Sequence, residues 1–220
     1  MLYIVATPIG NLEDVTFRAL EVLKSVDFVL CEDTRVTKNL LSHYNINKPT
    51  ISYHQHSKLY KMAEIKDLLV QGKNLALVSD AGTPGISDPG GLLIEYLKES
   101  LPEMKIIPIP GASAVASALS ISGFPTDKFL FLGFPPHKKG RQKYWEEIKG
   151  SSHTVVFYES KYRILKSLEE LEKILGEREV VVCRELTKMF ETIYRGEISE
   201  VILELKKTTP RGEYVVVVRQ

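Results

Sequence analysis

Between residues 2 and 109 short apolar runs alternate with amphipathic stretches, and this alternation constrains the fold more than any other feature of the chain. Strands are predicted at 2–6, 28–31, 50–53, 75–78 and 105–109. The intervals carry apolar residues at helical spacing: Phe17, Leu20, Leu23 and Val26; Leu40, Leu41 and Tyr44; Met62, Ile65, Leu68 and Leu69; Leu92, Leu93, Tyr96 and Leu97. Short strands separated by helices cannot pair as hairpins, so they line up in parallel with helices on both faces. From residue 113 the texture changes. Strands are predicted at 129–132, 154–158, 180–184, 192–195 and 214–219, and helices near 141–149, 162–175 and 197–206. The runs at 180–184 and 192–195 lie too close for a helical crossover and must pair antiparallel. The chain therefore reads as two α/β domains, 1–112 with a mostly parallel sheet and 113–220 with a mixed one.

Composition removes several classes of function. With 29 Lys and Arg against 28 Asp and Glu, the formal charge is +1, which excludes a polycation that coats nucleic acid or anionic membrane by bulk attraction. The two cysteines, Cys31 and Cys183, lie far apart in apolar runs and read as reduced and buried rather than as a disulfide framework. No apolar stretch approaches the roughly 18 residues of a membrane span, and the opening residues lack the basic leader of a signal peptide. These features place the chain in the cytoplasm.

Loops at 7–11, 79–91 and 110–114 each follow a predicted strand of the first half and are dense in Gly, Pro and small polar residues. In an open parallel sheet, loops beyond the carboxyl ends of the strands gather into one crevice where ligands bind. Glycine and proline can equally mark turns alone, but three such loops together point to a ligand. Phosphate fingerprints are missing: the sequence has neither GxGxxG nor GxxxxGK[ST], which disfavours a nicotinamide oxidoreductase. From residue 74 to 97 there are Asp80, Asp88 and Glu95 but no Lys or Arg. A cationic ligand with hydroxyl and amine donors suits such a loop better than a pyrophosphate, and S-adenosylmethionine fits that description.

Several motifs, in this order and spread over nearly the whole chain, carry a resemblance. They are Thr-Pro-Ile-Gly-Asn-Leu-Glu-Asp at 7–14, Cys-Glu-Asp-Thr-Arg at 31–35, Ser-Asp-Ala-Gly-Thr-Pro-Gly-Ile-Ser-Asp-Pro-Gly at 79–90 and Pro-Gly-Ala-Ser-Ala at 110–114. Phe-Leu-Gly-Phe-Pro-Pro at 131–136, Tyr-Glu-Ser at 158–160 with Arg163, and Arg-Glu-Leu-Thr-Lys at 184–188 complete the set. The chain resembles the tetrapyrrole methylase superfamily, the class III S-adenosylmethionine-dependent methyltransferases, and within it the members that act on small-subunit ribosomal RNA. It departs from the family pattern at Lys161 and Tyr162, where relatives often carry a small residue or Pro followed by His, and it lacks a C-terminal appendage of some longer relatives. The resemblance implies 2′-O-methylation of a cytidine in the decoding region of 16S ribosomal RNA by a homodimer, with the cofactor in a cleft between the domains. The cofactor residues it implies are Pro8, Gly10, Asp80, Ala81, Gly82, Thr83, Pro84, Gly85, Ile86, Ser87, Ser113 and Ala114, with Leu132 and Pro210 from the second domain. A superfamily member acting on a tetrapyrrole or protein side chain, and a non-catalytic RNA-binding assembly factor, are the alternatives.

Methyl transfer to a ribose hydroxyl needs in-line alignment and a destination for the proton. The candidate bases are Asp33, with Arg35 beside it, His54, His56 and Glu159. Asp33 reads equally well as a helix N-cap, and the two histidines as surface residues. They lack further ligands at usable spacing for a zinc site, so no metal is expected. RNA also needs a local positive track. Residues 1–112 carry 11 Lys and Arg against 13 Asp and Glu, whereas 113–220 carry 18 against 15. The excess is concentrated at 137–145, where Lys138, Lys139, Arg141 and Lys143 occur with no acid and Tyr144 and Trp145 follow. These four cations, with Arg184 and Lys188, are the expected phosphate contacts; Trp145 is expected in the core, where tryptophan more often lies.

Overall fold

Alternation along the first five strands sorts their side chains onto two faces, and each face recruits its own helices. The computed structural model describes residues 1–54, 59–88, 90–208 and 211–220, which divide into two units, Met1–Ser113 and Ala114–Gln220. The first unit runs β1 (Leu2–Val5), α1 (Phe17–Ser25), β2 (Phe28–Cys31), α2 (Thr34–His43), β3 (Thr50–Ser52), α3 (Leu59–Val70), β4 (Leu75–Leu77), α4 (Gly91–Ser100) and β5 (Ile106–Ile109). Its strands are all parallel, in the order β3-β2-β4-β1-β5. Val5, Val29, Cys31, Ala76 and Ile109 pack with Ala19 and Leu23 of α1 and Leu41 of α2. The alternate residues Leu2, Leu30, Leu75 and Leu77 pack with Met62, Ile65 and Leu69 of α3 and Leu93 and Leu97 of α4. Neighbouring strands β1 and β4 thus send their helices to opposite faces. Their carboxyl ends form the topological switch point at which ligands of such sheets bind.

The second unit runs α5 (Ala114–Ser122), β6 (Phe129–Phe131), α6 (Arg141–Gly150), β7 (Thr154–Ser160), α7 (Ile164–Leu175), β8 (Glu179–Arg184), β9 (Thr192–Glu197), α8 (Ile198–Lys206) and β10 (Glu213–Val218). Its sheet has the order β6-β7-β10-β8-β9; β6 and β7 are parallel and every other pair is antiparallel. Val155, Phe157, Val180, Val182, Val216 and Val218 form a core with α6, α7 and α8, in which Trp145 is 2% exposed. Helix α5 covers the other face, against β7, β8 and β10. Cys31 and Cys183 are both free and buried.

Three details differ from the sequence reading. Helix α5 is unpredicted, yet its buried Val115, Ala118, Leu119 and Ser122 have helical spacing; its remaining positions are also small or apolar, so no polar face marks the period. Phe17, assigned to the inner face of α1, is 88% exposed, and Ala19 takes its place. Strand β7 continues to Ser160, because Glu159 and Ser160 pair with Tyr214 and Glu213 of β10. That extension puts Glu159 on the inward face with Val155 and Phe157. Among the described residues no helix is long and apolar enough to cross a membrane.

Candidate functional site

Loops that follow β1, β2, β4 and β5 are tied to one another at the carboxyl edge of the first sheet. An isolated antiparallel bridge joins the first and third: Thr7 N–H donates to Gly82 O at 2.9 Å and Gly82 N–H returns the bond to Thr7 O at 3.0 Å. The buried Thr7 hydroxyl donates to Ser79 O at 3.1 Å, and the Ser79 hydroxyl to Ala81 O at 3.2 Å. Thr83 reaches the β5 loop by donating to Ala112 O at 3.3 Å. The β2 loop joins through Asp80, whose Oδ1 accepts the Asp33 N–H at 3.1 Å. Gly82 has φ +80°, a conformation that glycine adopts without penalty, and Ser87 takes a similar one at +62° despite its Cβ. At Gly111 an added Cβ would lie 3.0 Å from the Ala6 Cβ, so glycine relieves crowding where the β1 and β5 loops approach.

Of the expected cofactor residues, Pro8, Gly82 and Pro84 are buried, Thr83 and Ser113 are half-buried, and Gly10, Asp80, Ala81, Gly85, Ile86 and Ser87 face solvent. Ala114 opens α5 and Leu132 donates its N–H to Val156 O; both belong to the second unit. Pro210 and His56 lie outside the described residues.

Carboxylates dominate the electrostatics at this edge. Asp33 caps α2 by accepting the Arg35 N–H at 2.8 Å, and its side chain is gripped by Arg35 Nε at 3.1 Å and Nη2 at 2.6 Å. The side-chain hydrogen bonds hold the Asp33 carboxyl down to about 2. Glu32, to which the sequence reading gave no role, moves the other way. Partial burial pushes its pKa up, the neighbouring charge of Asp80 adds to this, and His54 opposes it. Its sequence signal was its place at the end of β2 beside a second acid. Among the described residues no group of three or more His, Cys, Asp or Glu is placed to hold a metal.

Because Asp33 has a depressed pKa, its contribution to stability is complete above its unfolded pKa and is lost as pH falls toward about 2. In Arg35→Ala, the Asp33 carboxyl should titrate nearer the ordinary value of about 3.9. Carbon-detected NMR titration of the side chain would show this; an unmoved midpoint would contradict the assignment of the shift to Arg35.

In the second unit several of the expected site residues have packed, hydrogen-bonded settings. Glu159 is 1% exposed. Its Oε1 pairs with Arg163 at 2.9 Å and accepts the Ser160 N–H, and its Oε2 accepts the Ser167 hydroxyl at 2.5 Å. A carboxylate so enclosed ties β7 to α7 and to the turn between them. Arg141 is also buried: it donates to Ser167 Oγ at 2.8 Å, to Glu170 at 2.6 Å and to Pro136 O at 3.0 Å. It therefore fixes the start of α6. Arg163 does the same one residue earlier, donating to Pro135 O at 2.8 Å. Tyr144 and Trp145 are core residues, and Trp145 Nε1 donates to Glu170 at 2.9 Å. Lys188 sits between Glu185 and Glu213 at 2.9 and 2.8 Å. Arg184 donates to Arg211 O. Lys138, Lys139 and Lys143 remain exposed.

Comparison with known proteins bears on the family and the fold. The model of the family described as Tetrapyrrole (Corrin/Porphyrin) Methylases matches residues 1–202. Ribosomal RNA small subunit methyltransferase I of Halalkalibacterium halodurans is 48% identical over 99% of this chain and 75% of its own length. The protein of that name from Thermotoga maritima is 46% identical over 98% and 96%, and that of Vibrio cholerae 49% over 99% and 76%. Among solved structures, a cobalt precorrin-4 methyltransferase of cobalamin biosynthesis superposes with TM-score 0.74 at 17% identity, covering 99% of this chain and 94% of its own. A uroporphyrin-III C-methyltransferase of Thermus thermophilus gives 0.66 at 18% identity, over 98% and 93%. At these identities the two structures show a common fold.

Proposed function

The chain belongs to the tetrapyrrole methylase family, and from that premise we propose that it transfers a methyl group from S-adenosylmethionine to the 2′-hydroxyl of a cytidine in the decoding region of 16S ribosomal RNA. One observation carries the reading at the level of geometry. Four loops at the switch point of a parallel sheet are tied together, and the segment between Asn74 and Leu97 presents the exposed carboxylate of Asp80 with no basic residue. That donor set fits a ligand with a sulfonium, an ammonium and ribose hydroxyls and without phosphate. The relatives of 46–49% identity named for methylation of small-subunit ribosomal RNA supply the substrate class.

When bound, S-adenosylmethionine supplies an electrophilic methyl on sulfur. The chain's own part is to hold and orient: main-chain groups at Gly10 and at 81–87 and the carboxylate of Asp80 are proposed to fix the cofactor. Alignment of this kind contributes on the order of 7–11 kcal/mol in favourable cases. For the proton of the ribose hydroxyl, Glu32 is a better acceptor than Asp33. A base works best when its pKa lies toward the working pH, and Glu32 is shifted upward while Asp33 is held at about 2. Lys138, Lys139 and Lys143 are proposed to contact the RNA backbone. The same reading makes the chain a homodimer acting in the cytoplasm, where ribosomal subunits are assembled.

The test is methyl transfer to small-subunit RNA from a strain lacking this protein. Mass spectrometry of that RNA should show one ribose methyl missing from a cytidine of the decoding region, and purified protein with S-adenosylmethionine should restore it. RNA that keeps every ribose methyl in the deletion strain would overturn the assignment.

A further inference from the structure

We propose that Phe134 and Tyr162 of the second unit form a stacking platform for unpaired bases of the RNA, flanked by Lys138, Lys139 and Lys161. The inference rests on the RNA substrate proposed above and adds the residues that grip its bases. Most aromatic rings near α6 are buried, including Tyr144, Trp145 and Phe157. Phe134 and Tyr162 instead stand 52% and 84% exposed.

Hydrogen bonds hold the two ring-bearing segments side by side. Tyr158 N–H donates to Gly133 O at 2.9 Å, just before Phe134, and the Phe134 ring lies 5.3 Å from that of Tyr158. Just after Phe134, Pro135 O accepts Arg163 Nη1 at 2.8 Å. Arg163 closes the turn that carries Tyr162, its N–H donating to Ser160 O at 3.0 Å. Arg163 is itself fixed by buried Glu159, and Arg141 holds the next carbonyl, that of Pro136. The backbone that carries the two rings is thus tied down by these bonds, which reduces the entropy lost on binding.

Charge selects the partner. Residues 129–145 contain no Asp or Glu, Lys138 and Lys139 are exposed, and Lys161 Nζ sits 4.9 Å from the Tyr162 ring centroid. Exposed rings beside cations match a polyanion with flat, stackable faces, which is single-stranded RNA. A protein partner would pair better with an apolar patch lacking this concentration of lysine.

The experiment uses the full chain and a decoding-region RNA oligonucleotide containing 2-aminopurine, titrated at several salt concentrations. Wild-type protein should quench the fluorophore on binding. Phe134→Leu, which keeps apolar contact with Tyr158 but has no flat face, and Tyr162→Ala should each weaken binding about tenfold, reduce the quench and leave the salt dependence unchanged. Tyr162→Phe should bind as wild type. Lys138→Ala combined with Lys139→Ala should instead flatten the salt dependence. Wild-type affinity and quench in both Phe134→Leu and Tyr162→Ala would overturn the platform while leaving the methyltransferase reading intact. Failure of the wild-type protein to bind or methylate RNA would overturn the reading beneath it.

Discussion

Glu159→Ala should lower the folding free energy by about 3–5 kcal/mol, the usual loss when one partner of a buried ion pair is removed. The variant would leave the Arg163 guanidinium facing a void and the Ser167 hydroxyl without its carboxylate acceptor. The damage should spread, because Arg163 and Ser167 link Glu159 to the Pro135 carbonyl and to Arg141. Urea denaturation should show the loss as a lower midpoint. Glu159→Gln, which retains an oxygen acceptor and the side-chain volume, should lose less. The pair of variants separates two roles that the sequence leaves open. Turnover lost in Glu159→Gln at near wild-type stability would instead mark Glu159 as the proton acceptor of the reaction.

The second large effect concerns the cofactor. Asp80→Lys should weaken S-adenosylmethionine binding by about 10- to 150-fold, from the roughly 1.5–3 kcal/mol of a hydrogen bond to a charged group, with charge reversal adding to it. Asp80→Asn, which can still accept the Asp33 N–H, should fall between wild type and Lys. Asp80 is exposed, so neither change should move the unfolding midpoint far, and calorimetric titration can be read as affinity. Wild-type affinity in Asp80→Lys would remove the β4 loop from the proposed site.

How much of this was legible beforehand depended on whether a residue's setting is local or distant. The strands of the first sheet were readable because each is a short apolar run bounded by Gly, Pro or polar residues, and all five lie within two residues of the predicted bounds. The convergence of loops was readable from topology alone, since a parallel sheet sends them all to one edge. The bonds that tie them, such as Asp33 N–H to Asp80, span 47 residues and leave no sequence signal. The burial of Glu159 and Arg141 was illegible for a similar reason. A Glu at the end of a strand and an Arg in a basic run both resemble surface residues. Their burial follows from two extra pairs between β7 and β10 and from acceptors on α7. Helix α5 shows the opposite failure, with a sequence so uniformly small and apolar that its period is invisible. The Asp33 cap was recognisable because capping is a local event within one turn.

The clasp between Thr7 and Gly82 rests on two reciprocal main-chain bonds, supplemented only by the buried Thr7 hydroxyl. Changes to the exposed side chains around it leave the clasp in place, as long as position 82 keeps a residue that tolerates its positive φ. The edge of the sheet can thus accept new recognition chemistry during evolution while its scaffold stays unchanged, so heredity of shape is separated from heredity of specificity.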